Sequence, residues 1–273
     1  MYKFKYIIFL LTFGCDQSDD DSALLKGPWE EHGLSSIELF VRPEGFSNKK
    51  SPSMDHIDLI LKNQNNFIQT ISQKFKVKSN ASFKIFLFNQ DEASQKIGIK
   101  NGGGANLNRG EIYFSYNQEP QFNNNIGIYT FLGLHELTHL ILFEVFQCST
   151  TRLMTEGYAT SADNAYGAYY NNDGLLVKKS NREWMIEHFE SQALLSPSEL
   201  IIREDLPENI FYPQAATFVD WMLDTYGVDV MNNAYCLNGE TLQNYFETAL
   251  KMPFEVLENE YLDYCEQEFN LDL

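Results

Sequence analysis

The sequence predicts an α+β fold. Strand-like segments cluster before residue 120 and helix-like segments after it, and no internal repeat interrupts that division. The one strongly apolar helical stretch with charged residues at its centre falls just beyond the change. A chain of 273 residues has material for one large domain or two small ones, and 44% hydrophobic with 21% charged residues is ordinary for a globular protein. The net charge of −18 is not ordinary. No Lys/Arg cluster is present to neutralise phosphates, which argues against a nucleic-acid partner. A soluble, self-repelling surface is the simplest consequence of that charge, and a preference for basic substrates a sharper one.

At the start, Lys3 and Lys5 precede the apolar run Ile7–Phe13, too short to span a bilayer but suited to the core of a signal peptide over residues 1–14. The run ends Leu11-Thr12-Phe13-Gly14-Cys15, which resembles the lipobox of bacterial lipoproteins. That resemblance implies a mature chain beginning at a lipidated Cys15, exported across the inner membrane and anchored in the bacterial cell envelope. The outer membrane, its periplasmic face and the cell surface all stay open, and an ordinary cleaved signal is the alternative. Residues 15–28, with the acidic run Asp16–Asp21, read as a flexible tether; the run also resembles a surface-export signal of some lipoproteins.

Residues 29–120 form the strand-rich part. Ser36–Arg42 is a strand ended by the turn at Pro43-Glu44-Gly45. Ser51-Pro52 offers an N-cap and a first-turn proline, followed by a helix with Ile57, Ile60, Leu61, Ile68, Ile71 and Phe75 on one stripe. Phe83–Phe88 is a strand, and so is Glu111–Tyr116, reached through the Gly102-Gly103-Gly104 loop. That loop lacks the spacing and the lysine of a phosphate-binding loop. Residues 121–273 form the helical part. A second helix begins near Arg152, Ala165–Lys179 reads as a loop, and Ser180 opens a helix through Leu195 with a capping box. Another box starts at Ser196, and Ala215 to Tyr226, Leu242 to Ala249 and Phe254 to Phe269 carry helical stripes. Among the remaining cysteines, a Cys236–Cys265 bridge and three buried thiols (Cys148, Cys236, Cys265) both fit.

The chemistry concentrates in Thr130–Phe146. Its centre, His135-Glu136-Leu137-Thr138-His139, has the H-E-x-x-H pattern of zinc hydrolases. On a helix, positions i and i+4 lie about 40° apart, so His135 and His139 face one way and Glu136 flanks them. The surrounding residues are apolar nearly all round, and a buried charge there is costly unless it is paired or bound to a metal. A catalytic zinc needs three protein ligands and one open position. Glu136 suits the role of general base.

Seventeen residues after His139 comes Glu156, in Glu156-Gly157-Tyr158-Ala159. An H-E-x-x-H helix followed by a helix bearing E-G-x-A resembles the gluzincin zinc metallopeptidases, in particular the bacterial peptidase-MA-like group. Residues 212–227 resemble that group's helix after the site, and Glu255–Tyr261 its terminal helix, so the likeness covers roughly residues 55–265. It implies a zincin-like fold: a small mixed or antiparallel sheet packed on the H-E-x-x-H helix, then a mostly helical part, together one domain over residues 29–273. It implies one Zn2+ per chain on His135, His139 and Glu156, with Gly157 and Ala159 letting the two helices approach. It places Glu111, Ile112, Tyr113, Phe114, Ser115 and Tyr116 as an edge strand to which a peptide substrate adds. Tyr212 becomes the candidate donor to the oxyanion, ahead of Tyr158 and His188. Asp163, on the same helical face as Glu156, is a candidate to orient a ligand histidine. The expected function is a lipid-anchored, extracytoplasmic zinc peptidase acting on a peptide or protein. The alternative is a zincin-fold lipoprotein that binds a protein or glycan partner without turnover.

Overall fold

A computed structural model describes residues 25–43, 52–89, 103–116, 134–170, 176–203 and 205–270. The signal segment, Cys15, the acidic run and residues 130–133 of the expected H-E-x-x-H helix lie outside them. The described residues have an α+β fold and divide into two compact units. One holds the sheet and the chain through Val145, except Lys74–Lys76, together with Tyr169–Val177; the other holds the rest.

The sheet follows from alternating large apolar side chains. Strands β1 (Glu30–Leu34), β2 (Ile37–Val41), β3 (Phe83–Asn89), β4 (Gly103–Asn106) and β5 (Glu111–Tyr116) line up in the order β1-β2-β3-β5-β4. The inner pairs β2–β3 and β3–β5 are parallel and the outer pairs antiparallel, so the sheet is mixed. The connection from β2 to its parallel neighbour β3 contains helix α1 (Met54–Phe75). Register puts Leu39, Ile85 and Ile112 in one row and Val41, Leu87 and Phe114 in the next, all buried. On the other face Phe40, Phe86, Phe88 and Tyr113 pack with Leu25 and Trp29.

Residues 25–28, expected at the end of a flexible tether, are therefore part of the fold. Arg42, 1% exposed, donates to the carbonyls of Lys26 and Pro28, and its guanidinium lies 3.6 Å from the Trp29 ring centroid. A buried guanidinium needs acceptors and an aromatic face, and this segment supplies both.

A second expectation is corrected at β5. Glu111–Tyr116 is not an edge strand, because β4 pairs with it in the register Gly103↔Phe114 to Asn106↔Glu111. The glycines make this pairing possible: a Cβ on Gly103 would come within 2.0 Å of the Phe114 ring. The edge is β4.

The helical unit holds α3 (Arg152–Asp163), α4 (Asn181–Glu190), α5 (Pro197–Ile202), α6 (Glu208–Tyr226), α7 (Val228–Ala234), α8 (Gly239–Leu250) and α9 (Phe254–Phe269). Both predicted capping boxes are present, Ser180 with Glu183 and Ser196 with Glu199. Helix α3 packs along α6, where Gly157 meets the backbone of Ala215. The expected loop at 165–179 contains instead a two-stranded sheet of β6 (Ala165–Tyr170) and β7 (Leu176–Ser180). Cys236 is disulfide-bonded to Cys148 rather than to Cys265, which is a buried thiol. Among the described residues no helix is long and apolar enough to cross a membrane.

Candidate metal centre

Helix α2 (Leu134–Phe146) carries the two histidines one turn apart, with Leu137, Leu140, Ile141 and Leu142 buried around them. Thr138 returns its hydroxyl to the Leu134 carbonyl at 2.7 Å, so this polar residue is satisfied within the helix. His139 and Glu136 are buried and His135 is half-buried. The rings of His135 and His139 meet edge-on, with their Nε2 atoms 3.1 Å apart. Two ring nitrogens this close either share a proton or face one cation. Nitrogens each about 2.0–2.1 Å from a tetrahedral zinc stand about 3.3 Å apart, so the observed spacing suits a shared ion.

Glu156 lies in the second turn of α3, a helix opened by Thr151, whose hydroxyl accepts from the Met154 amide. Only 6% of Glu156 is exposed, too little for water to solvate a carboxylate. One nitrogen from each histidine and one carboxylate oxygen of Glu156 lie within 4.8 Å of one another, a group that could hold a metal ion. Two neutral imidazoles and one carboxylate are a donor set that zinc accepts.

The other expected residues fall into place differently. Tyr212 is buried in α6 against the Tyr166 ring, at 5.1 Å, and accepts a hydrogen bond from Arg152. Burial, then the negative charges of Glu156 and Glu208, push its phenol well above the ordinary value. Tyr212 is thus a hydroxyl, not a phenolate, at any working pH. Tyr158 is wholly buried between Phe75 and Tyr235 and donates to Asn232 Oδ1 at 3.3 Å. His188 is buried too, its pKa lowered to about 4 by desolvation first and by Lys179 second. Asp163, expected to orient a histidine, instead has both carboxylate oxygens on Lys178 Nζ, at 2.5 and 2.6 Å.

Arg152, Tyr166 and Glu208 did not stand out in the sequence, yet they surround Tyr212. Tyr166 donates to Glu208 Oε2 at 2.8 Å, and Glu156 acts on the same phenol. The legible signal was the spacing Arg152-x-x-x-Glu156, which puts a cation one turn before the candidate ligand. No protein-family description matches this chain, and no curated protein is found to be similar to it.

Proposed function

We propose that the chain is a zinc-dependent peptidase of zincin-like fold, similar to the gluzincins, acting outside the cytoplasm from a lipid anchor on Cys15. The convergence of His135, His139 and Glu156 carries the reading, because three protein ligands of these types are what a catalytic zinc uses, its fourth position being kept for water. A zinc ion held there supplies a water whose pKa is lowered from 15.7 to about 7. Glu136 follows His135 on the same helix, accepts the proton of the attacking water and returns it to the leaving amine. Tyr212 supplies a neutral hydroxyl as hydrogen-bond donor. The Cys148–Cys236 disulfide supports export, since such bonds persist in oxidising compartments.

The test is metal analysis and cleavage on one preparation. The exported chain, purified without chelators, should hold about one zinc, lost in His139→Ala. It should cut members of an unbiased peptide library. Glu136→Gln should keep the zinc and lose the cutting. A chain without bound metal sinks the reading, and zinc without cleavage leaves a binding protein.

A further inference from the structure

Arg152 opens α3 one turn before Glu156, so the two side chains share a helix face. Its guanidinium is held from several directions. Nη1 donates to the Leu206 carbonyl at 2.8 Å, and the guanidinium carbon lies 4.4 Å from the Phe211 ring centroid and 5.3 Å from that of Tyr212. It also donates to the Tyr212 hydroxyl oxygen. The neighbouring phenol, Tyr166, directs its own hydrogen to Glu208.

A phenol oxygen that accepts from a guanidinium must turn its hydrogen away from that guanidinium. Accepting from a cation also polarises the O–H and strengthens it as a donor. Arginine can do this while holding Leu206, because its planar fork points several N–H groups in fixed directions. A lysine is a point charge on a flexible stem and cannot serve both at that geometry.

We infer that Arg152 is a positioning residue, which sets the direction of the Tyr212 hydroxyl beside Glu156 and strengthens it as a hydrogen-bond donor. Its purpose rests on the peptidase reading, where the donor meets the developing oxyanion of a peptide. The arrangement itself does not, since every contact is made within the helical unit.

The experiment uses the exported chain with 13C at tyrosine Cζ, a position whose NMR shift reports phenol hydrogen bonding. The Tyr212 resonance is the one missing in Tyr212→Phe. Arg152→Lys, which keeps the charge, should move that resonance and leave those of Tyr158 and Tyr261 in place, with or without zinc. In peptide-library cleavage the same variant should lower kcat about tenfold or more at unchanged KM, and added to Tyr212→Phe it should cost nothing further. An unmoved resonance overturns the assignment, and so do losses that multiply in the double variant. If Arg152→Lys fails to fold, Arg152→Gln is read in the same way. A wild-type chain that holds no zinc and cuts nothing defeats the peptidase reading alone; the resonance then decides for or against Arg152.

Discussion

Pro213 sits inside α6 and has no N–H, so the Asn209 carbonyl four residues earlier loses its helical partner. The Asn209 backbone acts to raise the His188 pKa, against the desolvation that lowers it. A buried histidine that looked like a candidate donor for catalysis is a packed side chain, its Nδ1 buried with no hydrogen-bond partner among the described residues. Its neighbours are Lys179, which acts on it unfavourably, and Glu187, which acts favourably. With a folded pKa of about 4 against 6.5, the unfolded chain takes up the proton first as pH falls. This contribution is therefore complete above about pH 6.5 and declines toward pH 4, by on the order of 3 kcal/mol at most. Urea midpoints at pH 7 and pH 4.5 should fall further apart in the wild type than in His188→Gln, which keeps a donor without titrating. Equal losses in both proteins would count against the assignment. At this scale the sequence was most legible where chemistry is dictated by spacing. The two histidines and Glu136 follow from helix geometry, whereas Glu156 was expected only through the resemblance of its motif. Asp163 misled because helical spacing says nothing about Lys178, which comes from a strand across a hairpin. If the proposed peptidase function holds, Glu136→Gln should lower turnover at least a hundredfold with zinc content unchanged, as paired rate and metal measurements would show.

Among elements, the close contact of α3 with α6 hangs on Gly157. A Cβ there would lie 2.8 Å from Val219 Cγ2 and 3.0 Å from the Ala215 carbonyl oxygen. The backbone atom cannot step aside as a flexible side chain could. Gly157→Ala should therefore destabilise the chain by about 1–3 kcal/mol despite alanine's better helix propensity, and Val219→Ala should recover only part of that loss in denaturant titrations. The sequence located this helix and its glycine but assigned the glycine to the other ligand helix, because one sequence shows smallness and not its partner. Capping boxes at Ser180 and Ser196 were legible since side chain and backbone lie three residues apart. Helix α4 stops at Glu190 rather than Leu195 for a distant reason. Gln214, fully buried, accepts from the Leu195 amide at 2.7 Å and donates to the Ala193 carbonyl at 3.0 Å. Strand β1 went unread because its solvent-facing sequence, Glu-Glu-His-Gly-Leu, has almost no apolar alternation. At the start of α1, Ser53 accepts from the His56 amide, while Ser51, the expected cap, lies outside the described residues.

For the whole molecule, composition gave the class and the charge, but the pairing of cysteines 88 residues apart is a tertiary fact. Loop closure over that separation stabilises the oxidised chain by about 4–5 kcal/mol in the chain-entropy picture. Reduction, or the pair Cys148→Ser and Cys236→Ser, should lower the thermal midpoint by several degrees in a melt at fixed pH. An unchanged midpoint would show that the crosslink constrains little.

The bond also decides how the protein has to be prepared. Material made in a reducing cytoplasm would carry free thiols at positions 148 and 236, and thiolates capture zinc well. A stoichiometry above one per chain from such material would report stray sulfur ligands rather than a second centre. Chains recovered from an oxidising compartment have no thiolate at those two positions, so in them a metal titration reports on the histidines.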